Sequence, residues 1–99
     1  MNINKILLEA IALRRCVVGT YNRMAVTLAP HILYSRGERL FIDAVTIERD
    51  GRPPRETKLG TFQLEGLKDV ALADPPFKPA TLFDPNAGKY AGVTLFAVQ

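Results

Sequence analysis

The sequence predicts a small, mainly β domain with one N-terminal α-helix. Three observations predict this fold class. Apolar residues recur at helical spacing near the N-terminus, and β-branched and aromatic residues alternate with period two from Cys16 onward. Short turns separate these alternating segments. With 99 residues the chain is long enough for one domain. We therefore expect residues 16–73 to form a strongly bent five-stranded sheet or a partly open barrel.

The helix is predicted over residues 3–14. Its apolar residues fall at i, i+3, i+4, i+7 and i+8, which places them on one face: Ile3, Ile6, Leu7, Ala10 and Ile11. Asn2 is the expected N-cap, and Arg14 and Arg15 suit the negative end of the helix dipole. Because so short a helix is marginal alone, its apolar face must pack on the sheet.

Five strands are predicted next. The first covers residues 16–21 and turns at Asn22-Arg23 into a strand from Met24. In that strand Pro30 is expected to mark a break, a bulge or an edge before the strand resumes at Ile32–Tyr34. The other strands are predicted at 39–49, 55–64 and 68–73, with an exposed loop at 50–54.

Residues 74–99 are predicted to cover the sheet. The segment Asp74–Pro79 is rich in proline and is expected to be irregular, with Phe77 packed on the end of the barrel. The tail from Gly92 to Val98 has strong strand character and no charge. Such an edge either completes the sheet within the chain or pairs with a second subunit, so residues 92–99 are a candidate homodimer contact.

The composition limits which classes of function and which cellular compartment the sequence predicts. The net charge of +3 permits an anionic partner without requiring one. A single cysteine, Cys16, excludes an internal disulfide, and neither a secretory signal nor a membrane-spanning run is visible, so we expect a cytoplasmic protein that does not enter a membrane.

Catalytic signatures are missing from the sequence. It has one histidine, one cysteine and one serine (Ser35), and no glycine-rich phosphate-binding motif. We therefore expect neither an enzyme nor a metal site nor a cofactor.

Two polar residues stand within apolar strands. Asp43 lies among Phe41, Ile42, Ala44 and Val45, and a buried carboxylate there needs a partner. Pairing with an arginine is the favoured interpretation, and a ligand-facing acid is the alternative. His31 is either a hydrogen-bonded structural residue or an imidazole offered to an anionic ligand.

Basic residues cluster around the 50–54 loop: Arg49, Arg52, Arg55 and Lys58. A solvated turn is the ordinary interpretation of such a cluster. Contact with phosphates, as in a nucleic-acid-binding module, is the functional one.

Four segments in order resemble the WYL domain family, whose members are ligand-responsive SH3-like or Sm-like barrels of bacterial transcription regulators. They are the helix end Leu8–Arg15 leading to Tyr21-Asn22, Pro30–Leu33, Leu40–Ile42 in place of the Trp-Tyr-Leu triplet, and Thr61–Leu67. The two arginines of the family's last motif are replaced by Gln63 and Gly66, and no helix-turn-helix precedes residue 3.

The resemblance implies a stand-alone, non-enzymatic module that senses a small polar or anionic ligand, such as a nucleotide, in transcriptional regulation. Its implied ligand-binding residues are Tyr21, His31, Phe41, Thr61 and Gln63. Two alternatives stay open: a nucleic-acid-binding Sm-like or SH3-like module that uses the basic loop, and an oligomeric interaction protein.

Overall fold

A computed structural model describes residues 3–99 as one α-helix and a six-stranded antiparallel sheet. The elements are α1 (Ile3–Leu13), β1 (Arg15–Tyr21), β2 (Met24–Arg36), β3 (Arg39–Arg49), β4 (Leu59–Gln63), β5 (Leu67–Pro76) and β6 (Thr94–Ala97). The strand order is β4-β3-β2-β1-β5, and β6 pairs with the remaining part of β2. Because β4 and β5 do not pair with each other, the sheet is open. The prediction of a mainly β domain with one N-terminal helix is confirmed.

The helix packs on the sheet as its apolar spacing predicts. Ile6, Leu7, Ala10 and Ile11 are buried in one core with residues of β1, β2, β3 and β5. The helix ends at Leu13, one residue earlier than predicted. Arg14 adopts a φ of 56°, the left-handed conformation that commonly terminates a helix. The predicted cap Asn2 lies outside the described residues.

A tight turn follows each of the strands β1, β2 and β3. Both central residues have positive φ in each turn, namely Asn22-Arg23, Gly37-Glu38 and Asp50-Gly51. This geometry matches the twist of the flanking strands, which is why it is favoured in two-residue hairpins. The turn at Asn22-Arg23 is therefore where the sequence predicts it.

Strand β2 is continuous through Pro30, and of the break, bulge or edge predicted there the structure shows a bulge. The pairing between β2 and β3 shifts register between Pro30 and Ile32. Such a bulge accommodates a residue that lacks an N–H donor, because the ladder is already irregular at that point. The same long strand can then pair with β1 along one half and with β6 along the other.

Two further boundaries differ from the predictions by more than two residues. β4 begins at Leu59 rather than residue 55, so the stretch from Arg55 to Lys58 belongs to the loop. β5 continues to Pro76, although Asp74–Pro79 is predicted to be irregular. β5 is an edge strand that pairs only with β1, and edge strands are where a sheet tolerates proline.

The C-terminal segment covers the face of the sheet that lies opposite the helix. Tyr90 packs there with Ile32 and Tyr34, and Phe77 stacks near the ring of His31. Strand β6 then returns beside β2, with Phe96 opposite Leu33. The uncharged tail thus completes the sheet within the chain. No helix in residues 3–99 has the length and apolarity to cross a membrane.

Candidate functional site

A concavity of the sheet lies beside the loop between β3 and β4. It is a groove of about 780 Å³. All four residues of the predicted basic cluster line it: Arg49, Arg52, Arg55 and Lys58. The floor includes Thr46 on β3 and both Gly60 and Phe62 on β4, so two neighbouring strands fix its shape. The structure therefore gathers one group of sequence-predicted site residues around a single cavity.

A tight turn holds two of these arginines opposite each other. The N–H of Arg49 donates to the carbonyl of Arg52 at 2.8 Å, and the N–H of Arg52 donates back at 3.0 Å. The side chain of Asp50 fixes the turn by accepting a hydrogen bond from the N–H of Ala25 at 3.1 Å. Like charges placed directly opposite across a strand pair are destabilising. An anion between the two guanidinium groups would relieve this repulsion.

The groove carries a net positive charge, because four cations and two carboxylates, Asp50 and Glu56, line it. Lys58 lies 3.8 Å from Glu56, and both of these side chains are exposed. No carboxylate of residues 3–99 comes within 4.0 Å of the guanidinium groups of Arg49, Arg52 or Arg55. All three arginines are exposed and remain available to a ligand. Their forked donors match the oxygens of carboxylates and phosphates.

A second cluster of polar residues lies on the sheet face covered by the C-terminal segment. Across β2, β3 and β4 the pairing places Tyr34 beside Phe41 and Phe41 beside Gln63. Two residues further along β3, Asp43 stands next to Thr61. The structure thus brings together Phe41, Thr61 and Gln63 of the ligand-binding residues that the resemblance implies.

Asp43 is the centre of this polar face. It is 1% exposed and accepts hydrogen bonds from four side chains. One carboxylate oxygen receives the Tyr34 hydroxyl at 2.7 Å and the Thr61 hydroxyl at 2.8 Å. The other receives the Lys89 ammonium at 2.8 Å and the hydroxyl of Tyr90. Burial alone would raise the pKa of Asp43, but the four donors, Lys89 first, outweigh it and hold that pKa below its usual value.

The partner of Asp43 corrects the sequence interpretation, because the cation is Lys89 and not an arginine. Lys89 and Tyr90 lie in a short 3-10 turn of the covering segment, 46 and 47 residues away along the chain. No local pattern connects residues so far apart, and sequence reasoning missed both. The one signal in the sequence was that a buried carboxylate needs hydrogen-bond donors around it.

Arg36 places a cation at the rim of this sheet face, beside Tyr34 and Phe41. Its guanidinium lies 5.9 Å from the ring centres of both Tyr34 and Phe41, within the range of cation–π attraction. The Lys89 ammonium lies 5.2 Å from the ring centre of Tyr90. Lys89 is already bound to Asp43. Arg36 is therefore the cation of this rim that forms no ion pair in the described chain.

The two other implied ligand-binding residues lie elsewhere. Tyr21 packs edge-to-face against Phe62, with 5.0 Å between ring centres, in the core on the helix side. His31 is 1% exposed, and both of its ring nitrogens are occupied. Nδ1 donates to the carbonyl of Ala29 at 2.7 Å, and Nε2 accepts the N–H of Ala80 at 2.9 Å. The five residues therefore do not form one surface.

Neither site offers a metal centre within residues 3–99, and the comparisons with known proteins gave no match. No group of three or more His, Cys, Asp or Glu side chains in residues 3–99 is placed to hold a metal ion. The chain matches no protein-family model, no curated protein and no solved structure. The WYL resemblance therefore stays a prediction.

Proposed function

We propose that this chain is a non-enzymatic module that binds a small anionic ligand in the basic groove beside the β3–β4 loop. One observation carries the proposal: four exposed cations against two carboxylates, Asp50 and Glu56, line a single concave space and leave it a net charge of +2. A protein gains no stability from holding Arg49 opposite Arg52, so a binding role explains the arrangement better than a structural one.

The size of the groove favours a small molecule. Ligand pockets typically span about 300–1,000 Å³, and this groove falls within that range. The aromatic residue that lines it, Phe62, is 5% exposed and packs in the core. It offers little surface for stacking bases, whereas proteins that bind single-stranded nucleic acid rely on exposed aromatic platforms. A phosphate-bearing small molecule such as a nucleotide suits the cations and the volume together.

The topology supports the finer part of the proposal. Strands β1 to β4 form a meander and β5 returns beside β1, an order compatible with an SH3-like or Sm-like partly open barrel. A regulatory role in transcription is implied by the WYL resemblance alone and belongs to the proposal on that basis. The WYL resemblance implies a ligand at the polar face around Phe41 and Gln63. This face is therefore the alternative binding site to the groove.

A titration followed by amide NMR shifts tests the proposal. We expect a mononucleotide, and more weakly inorganic phosphate, to shift the amides of residues 46–62. Replacing Arg52 by Gln should raise the Kd about tenfold, because one charge-assisted contact is worth ~1.4 kcal/mol or more. Arg36→Gln, which removes an exposed cation outside the groove, is the matched control and should leave the Kd unchanged.

The outcomes separate the alternatives. Shifts confined to Phe41, Thr61 and Gln63, with an effect of Arg36→Gln and none of Arg52→Gln, would move the ligand to the polar face. A single-stranded oligonucleotide that binds far more tightly than the mononucleotide, with steep salt dependence, would favour the nucleic-acid-binding alternative. No shift in the groove with any of these anions would refute the proposal.

A further inference from the structure

A rigid spacer separates two of the arginines that line the basic groove. Pro53 and Pro54 stand between Arg52 and Arg55, and all four residues line the groove. The ring of a proline fixes its φ at about −65°. A residue that precedes a proline is kept out of the helical conformation. Because both Arg52 and Pro53 precede a proline, the chain is extended from Arg52 to Pro54.

This spacer sets the direction and the distance between the two arginines. In the extended conformation of consecutive prolines, about three residues make one turn and each advances the chain by about 3.1 Å. Arg52 and Arg55 are one such turn apart, so their side chains leave the same side and their Cα atoms lie roughly 9 Å from each other. Since both line one groove, the groove has two cationic points that the spacer holds apart.

The first cationic point is a pair of arginines. Arg49 and Arg52 exchange backbone hydrogen bonds across their turn, so their side chains leave the same face. Residues paired in this way have Cα atoms about 5.5 Å apart, and one anion can contact both side chains. The carboxylate of Asp50, within the same turn, accepts the N–H of Ala25 and holds the turn in place.

The second cationic point is Arg55. The carboxylate that follows it in the chain, Glu56, lies 3.8 Å from the ammonium of Lys58. That carboxylate therefore compensates the lysine, while the guanidinium of Arg55 keeps its donors for a ligand. Guanidinium groups bind phosphate oxygens through two parallel N–H donors, so Arg55 alone can hold a phosphate group.

On the basis of the proposed anion-binding function, we propose that the ligand of the groove carries two phosphate groups at separate positions of one small molecule, as in a nucleoside 3′,5′-bisphosphate. One phosphate lies between Arg49 and Arg52, and the other contacts Arg55. The four cations and two carboxylates of the groove leave a net charge of +2, which favours a ligand with more than one anionic group. Two phosphates that share an oxygen lie too close together to use both points fully.

Calorimetric titration with three adenosine nucleotides at one ionic strength tests the proposal. We expect adenosine 3′,5′-bisphosphate to bind about tenfold more tightly than the monophosphate, and more tightly than the diphosphate, because it alone uses both points. Arg55→Gln should raise the Kd of the bisphosphate about tenfold and change that of the monophosphate by less than about twofold. The matched control Arg36→Gln removes the same charge outside the groove and should change neither.

A second variant tests the spacer without altering any charge. Replacing both Pro53 and Pro54 by Gly frees the distance between Arg52 and Arg55, so the bisphosphate should lose its advantage over the diphosphate while the monophosphate binds as before. Pro79→Gly, which changes an exposed proline outside the groove, is the control and should keep the advantage. Amide NMR spectra verify that each variant is folded.

The results separate this proposal from the function on which it rests. If the monophosphate binds in the groove and the bisphosphate gains nothing over the diphosphate, the two-phosphate ligand is wrong and the anion-binding function stands. An equal effect of Arg55→Gln on all three nucleotides, or an undiminished preference in the folded glycine variant, would also overturn the two-phosphate ligand alone. If none of the three nucleotides binds in the groove, both proposals fail.

Discussion

At the scale of single residues, Asp43 shows how a carboxylate remains charged inside a small core. It is buried beneath the covering segment, yet both oxygens are saturated by hydroxyl and ammonium donors. The same contacts raise the pKa values of Tyr34 and Tyr90, because burial and the neighbouring carboxylate both disfavour the phenolate. Breaking such a network by removing one donor costs more than an ordinary hydrogen bond.

Replacing Tyr90 by Phe tests the network at this scale. The change removes one hydroxyl from Asp43 while the ring keeps its packing against Tyr34. We expect the free energy of unfolding to fall by about 1.5–3 kcal/mol, the range for a hydrogen bond to a charged group, and the pKa of Asp43 to rise. Urea unfolding and NMR titration of the carboxyl carbon measure the two effects. Tyr21→Phe, whose hydroxyl makes no hydrogen bond in the described chain, should change stability little, and equal losses in both variants would contradict the prediction.

At the scale of elements, the covering segment is attached to the sheet by a small number of side-chain anchors. His31 accepts the N–H of Ala80 near its start, and Asp43 binds Lys89 and Tyr90 near its end. The composition of residues 74–99 predicts a segment that covers the sheet. It does not reveal where the segment is fixed, because each anchor joins residues about 46–49 positions apart.

Acidification should loosen the first anchor. Burial lowers the pKa of His31 below its ordinary value of 6.5, and the hydrogen bond to Ala29 only partly opposes this effect. The unfolded chain therefore binds the proton more readily than the folded one. The contribution of His31 is complete above pH 6.5 and is lost progressively as the pH falls from 6.5 toward the lower folded-state pKa.

Urea unfolding at several pH values between 7.5 and 5 measures this loss. Because the chain contains one histidine, a step in stability below pH 6.5 can be assigned to His31. His31→Gln keeps a donor and an acceptor but does not titrate, so its stability should vary less over the same interval. A variant with the same pH dependence as the parent chain would show that other groups cause the step.

At the scale of the whole molecule, the helix and the sheet stabilise each other. The helix of 11 residues is too short to persist alone, and the sheet face beneath it is apolar. Leu7 is fully buried at this contact, whereas the next residue, Leu8, is 39% exposed. The two leucines therefore provide a matched pair for measuring how far the fold depends on the helix.

Leu7→Ala should lower the free energy of unfolding by about 2–5 kcal/mol, because it removes buried methyl groups and leaves a cavity. Leu8→Ala should change it by less than about 0.5 kcal/mol, as is usual for surface substitutions. Chemical denaturation followed by circular dichroism measures both. If the helix and sheet form one cooperative unit, β2 and α1 amides lose exchange protection together in Leu7→Ala. Loss of protection in α1 alone would contradict this interpretation.

Local patterns determined much of this fold. The spacing of Ile6, Leu7, Ala10 and Ile11 predicted the buried face of the helix, and the alternation from Cys16 onward predicted a β-rich domain. The boundaries failed where an edge position changes what a residue tolerates, as at Pro75 and Pro76. The sequence also showed the four basic residues as neighbours around one loop, and these are the residues that line the groove.

By itself, then, the sequence determined the elements, the turn at Asn22-Arg23 and the basic loop, because each depends on residues a few positions apart. Only the tertiary structure decided that Lys89 and Tyr90 bind Asp43 and that His31 is enclosed. It also decided that Tyr21 packs in the core on the helix side of the sheet. These arrangements depend on strand order, on bulges and on the path of the covering segment. They arise from packing between distant parts of the chain, for which no local residue pattern carries a signal.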